Sequence, residues 1–122
     1  VKKIGKYKFT NGGVKKMNNA STMFNDLGFR LYNSGEDFLL YKYETDYDEV
    51  FIRFDLSKKT YSAEWYMFID NSDMVFVPME QRPQNIKHSA KYGHWQREFT
   101  YEIEVKHFEA IHQQMIELGW LK

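Results

Sequence analysis

A chain of 122 residues without any cysteine can bury a hydrophobic core, but it excludes a disulfide framework, a thiolate metal site and a cysteine nucleophile. The charges of its 17 basic and 17 acidic side chains cancel, which excludes an overall acidic mimic of nucleic acid. The sequence contains no run of about 18 apolar residues that could form a membrane span. Aromatic residues make up 18% of the chain, an enrichment typical of β-strands and of binding surfaces. The lack of cysteine favours a cytoplasmic location.

Residues 1–17 carry six lysines and no acid, and they begin the chain as a basic segment. An Asn11-Gly12 turn predicts a short hairpin here, with a loosely held basic arm as the alternative. No apolar stretch follows the lysines, so a signal peptide is not expected. Val1 is compatible with a native start and with a trimmed chain.

A first helix is predicted from Ala20 to Leu27, with Asn18 or Asn19 as its N-cap and Gly28 just past its end. Residues at helical spacing form one apolar stripe, which comprises Ala20, Met23, Phe24 and Leu27. A helix of about two turns is not stable alone, so we expect this stripe to be buried.

Alternating residues predict a series of strands after this helix, beginning with a short one at 29–33. The strand around 50–56 is the clearest, because Val50, Ile52 and Phe54 share one face while Arg53 takes the other. The predicted inward residues of its neighbours are Leu39, Tyr41, Tyr43, Tyr61, Ala63, Trp65, Met67 and Ile69. The connections are short, which favours an antiparallel meander. A further strand is predicted at 74–77, and Pro78 either ends this strand or places it at an edge of the sheet.

Residues 80–93 form the one long irregular stretch, and loops of this length are often functional. A strand is predicted after it, from His94 to Glu104. Its apolar, buried face would carry Trp95, Phe99, Tyr101 and Ile103, and its other face would be acidic.

The final helix is predicted from Val105 to Leu118, with Gly119 ending it. Its predicted apolar arc comprises Val105, Phe108, Ile111, His112, Met115, Ile116 and Leu118. We therefore predict a single α+β domain spanning residues 1–122. A mainly antiparallel meander of five or six strands would have the N-terminal and C-terminal helices packed on one of its faces.

Two motifs carry a resemblance to a known group of proteins. The early Met23-Phe24-Asn25-Asp26-Leu27-Gly28-Phe29 and the ending from Phe108 to Trp120 resemble small uncharacterised proteins of phages, prophages and other mobile elements of low-GC Gram-positive bacteria. The resemblance implies a cytoplasmic accessory protein that acts on a host or defence component such as a CRISPR nuclease. It carries over no catalytic or binding residue.

No motif indicates catalysis, a cofactor or a metal site. His107 and His112 are five residues apart and so do not share a helix face as paired zinc ligands would. Acidic turns near 46–49 and 70–73 lack the glycine and glutamate positions of an EF-hand, and no P-loop, nucleophile elbow or dinucleotide-binding glycine motif is present. We therefore predict a non-enzymatic protein.

The predicted function is the binding of another protein through an exposed aromatic patch. Tyr66 and Phe68 should point away from the buried face of their strand, and Tyr47 and Tyr92 lie in flanking loops. These four residues are the predicted contact, and a homo-oligomer interface would explain them equally well.

Nucleic-acid binding is the alternative function, because two segments, 2–16 and 82–97, combine basic and aromatic residues. Such residues can neutralise phosphates and stack on bases. The candidate cations are Lys6, Lys8, Lys15, Lys16, Arg82, Lys87, Lys91 and Arg97.

Overall fold

The computed structural model describes residues 3–4, 7–10, 13–16, 19–71, 77–99 and 101–121. The strands are β1 (Lys3–Ile4), β2 (Tyr7–Thr10), β3 (Gly13–Lys16), β4 (Arg30–Ser34), β5 (Phe38–Glu44), β6 (Asp48–Asp55), β7 (Thr60–Asp70) and β8 (Gly93–Arg97). The α-helices are α1 (Ala20–Asp26) and α2 (Val105–Glu117), and two short 3₁₀ helices span Met79–Gln81 and Gln84–Ile86. The chain divides into two compact units, residues 1–27 with 104–122 and residues 28–103.

In the first unit, the backbone of the basic segment forms a three-stranded antiparallel sheet in the order β1-β2-β3. Strands β2 and β3 pair from Tyr7 with Lys16 to Thr10 with Gly13, so they form a hairpin. The predicted Asn11-Gly12 turn lies outside the described residues.

Helix α1 has the cap and the buried face that its sequence predicts. The Asn19 side-chain oxygen accepts a hydrogen bond of 2.8 Å from the backbone N–H of Thr22. Gly28 has a φ of +89°, the left-handed conformation that favours glycine after a helix. Ala20 and Phe24 are fully buried.

Helix α2 also begins and ends where predicted, and a histidine side chain caps its first turn. Nδ1 of His107 accepts a hydrogen bond of 3.1 Å from the backbone N–H of Glu104. Burial lowers the pKa of His107, and a neutral ring is what an accepting Nδ1 requires. At the other end, the Trp120 N–H donates to the Met115 carbonyl at 3.0 Å, and Gly119 has a φ of +76°.

The predicted inward arc of α2 is wrong for most of its members. Its buried residues are His107, Ala110, Ile111 and Gln114, whereas Val105, Phe108 and Ile116 are exposed. His107 can be buried because the helix N-terminus supplies its hydrogen-bond partner. His112, predicted as a packing residue, is exposed.

Within the first unit the two helices meet at their ends. A Glu117 carboxylate oxygen accepts a hydrogen bond of 2.7 Å from the backbone N–H of Ala20. This places a negative charge at the N-terminus of α1, where an unpaired N–H and the helix dipole favour it.

The second unit is a five-stranded antiparallel meander in the order β4-β5-β6-β7-β8. The register pairs Tyr41 with Ile52 and Ile52 with Ala63, so the inward residues of three strands share one face as predicted. On this apolar face Tyr41, Val50, Ile52 and Phe54 are at most 3% exposed. The α+β class, the antiparallel meander and the two terminal helices are therefore confirmed, while packing of the helices on one sheet face stays a prediction.

Strand β8 is shorter than predicted, which corrects the account of residues 94–104. It ends at Arg97, and Phe99 is fully exposed instead of lying on a buried apolar face. Trp95 pairs with Phe68 and so lies on the opposite face from Ile52. Glu98, Glu102 and Glu104 do not lie in a strand, so the predicted acidic strand face is wrong for these residues. The strand predicted at 74–77 falls mostly outside the described residues.

Candidate functional site

The sheet face opposite the apolar face mixes aromatic and charged side chains, and we call it the mixed face. The register places Lys42 beside Phe51 and Phe51 beside Glu64, while Glu49 lies beside Tyr66 and Tyr66 beside Arg97. Alternation along each strand brings these residues to one side, because successive side chains point to opposite faces.

An open groove of about 440 Å³ lies on the mixed face. Strands β5 to β8 all contribute to it, so its floor is a hydrogen-bonded sheet and not a loop. The residues that line it are Leu40, Glu49, Phe51, Arg53, Glu64, Tyr66 and Trp95. Apolar walls with a few placed charges are the usual composition of a ligand-binding concavity.

A row of aromatic rings crosses the mixed face and supports the groove. The Phe51 ring lies edge-on to Tyr32 at 6.1 Å and to Tyr66 at 6.0 Å between ring centroids. This edge-to-face geometry is the favourable one for aromatic pairs and fixes the orientation of the Phe51 ring. Phe51 is therefore a preorganised part of the groove.

Lys42 neutralises the acids on one side of the groove. Its buried amine lies 3.3 Å from a Glu44 carboxylate oxygen and 2.5 Å from a Glu49 carboxylate oxygen, and 4.5 Å from the centre of the Tyr32 ring. Burial alone lowers the pKa of Lys42, but the hydrogen bonds and charges of Glu49 and Glu44 outweigh it and raise the pKa above the ordinary lysine value. Glu49 therefore brings little uncompensated charge to the groove.

Glu64 is also engaged within the protein. The Tyr66 hydroxyl donates a hydrogen bond of 2.8 Å to Oε2 of Glu64, and this bond raises the pKa of Tyr66. The Arg97 guanidinium lies 3.9 Å from the same carboxylate, in an exposed and weak ion pair.

Arg53 differs from these charges because it forms no ion pair with any acidic side chain that the structure describes. Its guanidinium carbon lies 4.5 Å from the centre of the Phe38 ring, and none of the ion pairs among the described residues involves it. A guanidinium stacked on a ring keeps its in-plane N–H donors at its edge, where they can bind an anion. Arg53 is thus the uncompensated charge of the groove.

The end of the mixed face near Phe68 is covered by the chain itself. Phe68 is 2% exposed and forms a small core with Met79 and Tyr92, against which Trp95 packs. The His88 ring lies 5.0 Å from Phe68 and 4.9 Å from Trp95. Residues 77–92, which we call the covering segment, therefore bury this end.

Arg82 holds the covering segment in place. It donates two hydrogen bonds to the Asp70 carboxylate, at 3.0 and 2.9 Å, and one of 3.0 Å to the Val77 carbonyl. Its guanidinium carbon lies 4.5 Å from the centre of the Tyr92 ring, and only 2% of its side chain is exposed. The hydrogen bonds to Asp70 raise the pKa of Arg82, which is charged at every relevant pH.

The predicted aromatic patch is corrected in two of its four members. Phe68 and Tyr92 are 2% and 5% exposed, because they form the core under the covering segment and are unavailable to a partner. Tyr66 lines the groove and Tyr47 is 42% exposed in the turn before β6. Sequence alternation placed Phe68 on the correct face but could not show that a distant loop folds over it.

The basic segment 82–97 does not form one cationic surface. Arg82 is buried in a salt bridge with Asp70, and Lys87 forms a salt bridge with Asp46 at 2.9 Å, so neither is available to bind phosphate. Lys91 and Arg97 are exposed. In the other segment, the backbones of Lys8 and Lys15 pair across the hairpin, Lys16 pairs with Tyr7, and Lys6 lies outside the described residues.

The sequence interpretation missed the groove residues Leu40, Glu49, Phe51, Arg53 and Glu64 as a site. One signal was present, because Phe51 is a large ring on the charged side of an otherwise regular alternation. Its neighbours on other strands follow only from the register.

Among the described residues no cluster of three or more histidine and carboxylate side chains is placed to hold a metal ion. No helix in this part of the chain is long and apolar enough to cross a bilayer. Comparisons with protein-family models, curated proteins and solved structures found no match to the chain.

Proposed function

We propose that this is a non-enzymatic accessory protein that acts by binding another protein through the groove on the mixed face. The observation that carries the proposal is an open concavity with aromatic walls and one uncompensated cation. Rings supply much of the binding energy in protein interfaces, and arginine is the cation most enriched there.

The charges of the groove favour a partner segment that carries an acidic residue. Glu49 is neutralised by Lys42, and Glu64 is engaged by Tyr66 and Arg97. Arg53 remains, and its edge can bind a carboxylate through two parallel N–H donors. An acidic side chain next to a large apolar one matches both the arginine and the rings of Phe51, Tyr66 and Trp95.

The rigidity of the groove supports binding without a large rearrangement. Its side chains stand on four hydrogen-bonded strands, and the Phe51 and Tyr66 rings are held against each other. A preformed site loses less conformational entropy when its partner binds. The volume suits a few side chains of a partner segment, which is the size of an anchor pocket.

The biological setting is proposed from the sequence resemblance. Similarity of the two motifs to phage and mobile-element proteins supports a role inside the bacterial cell against a host or defence protein. We propose the chemistry of that contact from the groove residues.

Affinity capture tests the proposal directly. Wild-type protein and the variants Arg53→Glu and Tyr66→Ala are used as bait in a nuclease-treated Gram-positive lysate, and bound proteins are identified by mass spectrometry. We expect a protein that wild type retains and both variants lose. Lys58→Glu is the matched control, because it makes the same charge reversal at an exposed turn outside the groove lining.

Peptide titration tests the chemistry of the partner. Pairs of peptides with Glu or Lys beside a Phe are titrated into isotope-labelled protein, while the Trp95 indole and Arg53 side-chain signals are followed by nuclear magnetic resonance. We expect the Glu peptide to bind at least about tenfold more tightly, a difference that Arg53→Ala removes. Equal binding of both peptides, or retention of the captured protein by both groove variants, contradicts the groove as the binding site.

A further inference from the structure

Helix α2 exposes an apolar stripe on the side opposite its buried residues. Val105 is 76% exposed, Phe108 is 47% exposed and Ile116 is 44% exposed. Together with the exposed Glu109 and His112 they define the α2 stripe, about 16 Å long from Val105 to Ile116. The buried side carries His107, Ala110, Ile111 and Gln114.

This distribution inverts the usual pattern of a surface helix. A helix of a monomeric protein normally turns its large apolar residues inward and its polar residues to solvent. In α2 a histidine and a glutamine are buried while a phenylalanine, a valine and an isoleucine are exposed. Three large exposed apolar residues on one helix face are the kind of surface on which a contact with another molecule can form.

The order of the residues along the stripe allows it to pair with a second copy of itself. A two-fold axis midway between Ala110 and Ile111 brings Val105 of one copy opposite Ile116 of a second, antiparallel copy. The same axis places the rings of Phe108 and His112, stacked at 5.8 Å and 20°, at the centre of the contact. In such an isologous pairing, Val105 and Ile116 of both copies are buried, one pair at each end of the contact.

The polar side chains of the stripe fit the same arrangement. The axis brings Glu109 of each copy opposite His112 of the other, so two carboxylate–imidazole pairs form by symmetry. Neither side chain forms a salt bridge among the described residues. The nearby Lys106 is already paired with Glu104 at 3.3 Å and stays at the rim.

We propose that two copies of this chain associate through antiparallel α2 helices, with Phe108 at the centre and Glu109–His112 pairs across the axis. A second copy is the occupant that accounts for both the symmetric positions of the apolar residues and the carboxylate–imidazole pairing. The contact lies in the first unit, and the groove lies wholly in the second, so this proposal does not depend on the proposed function.

Analytical ultracentrifugation from about 1 µM to about 1 mM tests the association, because weak and moderate dimers dissociate within that range. We expect wild type to dimerise and Phe108→Ser to raise the dissociation constant at least about tenfold. Leu31→Ser is the matched control, since Leu31 is equally exposed at 48% but lies on β4. A wild type that is monomeric throughout, or a dimer that Phe108→Ser leaves unchanged, overturns the proposal.

A charge swap tests the antiparallel register without removing apolar area. Glu109→Lys and His112→Glu should each weaken the dimer. The double variant should restore it, because a lysine and a glutamate of opposite charge then face each other across the axis. A double variant no tighter than the weaker single variant overturns the pairing. Circular dichroism on each variant separates loss of association from loss of the helix.

Discussion

The two ends of the mixed face each contain an arginine stacked on an aromatic ring, and the two arginines have different surroundings. Arg53 lies over Phe38 and Arg82 lies over Tyr92, both with 4.5 Å between the guanidinium carbon and the ring centre. Arg82 is buried and donates to Asp70 and to the Val77 carbonyl. Arg53 is exposed and has no carboxylate partner among the described residues.

The comparison shows that the surroundings, and not the stacked pair, decide what such an arginine does. A buried guanidinium whose donors are hydrogen-bonded holds two chain segments together, because removing it would leave an unpaired carboxylate at a partly buried position. An exposed guanidinium on a ring contributes little to folding and keeps its donors available to a ligand. One end of the face is therefore structural and the other is the candidate site.

The first prediction concerns the aromatic residues of the two ends and has the largest expected effect. Phe68→Ala should lower the free energy of unfolding by about 3–5 kcal/mol, because it empties a buried ring site under the covering segment. Tyr66→Ala, two residues away in the open groove, should cost less than about 1 kcal/mol. Urea denaturation of both variants measures the difference, and similar losses would show that the groove is part of the core.

The second prediction compares the two arginines. Arg82→Ala should destabilise the protein by about 3 kcal/mol, because it breaks a buried ion pair from one side. Arg53→Ala should change stability by no more than about 0.5 kcal/mol. Chemical denaturation tests both, and proteolysis within residues 77–92 should increase in the Arg82 variant alone.

The third prediction adds a methyl group at each end. In Gly93→Ala the new Cβ would meet the Ile69 carbonyl oxygen, a backbone atom that the β7–β8 pairing fixes, so a loss of about 2 kcal/mol is expected. In Gly35→Ala the Cβ would meet the Phe38 ring at 2.8 Å, and that ring can move. The cost there should stay below about 1 kcal/mol, and thermal unfolding of both variants decides whether the covered end is the more rigid.

The smallest expected effect is a pKa change in the groove. The hydrogen bond to Glu64 raises the pKa of Tyr66, so Glu64→Ala should lower that pKa towards the ordinary tyrosine value. The pKa of Tyr66 is higher in the folded protein than in the unfolded chain. The hydrogen bond from Tyr66 to Glu64 therefore stabilises the folded state at neutral pH, and this stabilisation is lost as the pH rises through the folded-state pKa. The difference in tyrosinate absorbance between each protein and its Tyr66→Phe variant isolates this residue, and an unchanged pKa would show that Glu64 is not its partner in solution.

Part of the candidate site followed from local pattern alone. Alternation placed Arg53 opposite Ile52 and put Tyr66 and Phe68 away from the apolar face, because side chains in an extended chain point to alternate sides. Leu40 and Trp95 could not be added to them, because they join the groove only through the pairing of β5 with β6 and of β7 with β8. Phe68 and Tyr92 were wrongly assigned to an exposed patch because burial depends on a segment distant in sequence.

The sequence by itself determined what depends on neighbouring residues. The strand alternation, the Asn19 cap and the left-handed Gly28 and Gly119 all follow from local sterics and hydrogen bonding. Only the tertiary structure decided which apolar surfaces are covered: Phe68 is buried under residues 77–92, and Val105 and Phe108 of α2 are exposed. The physical reason is that a periodic pattern shows which residues share a face, whereas burial depends on long-range packing that the local pattern does not contain.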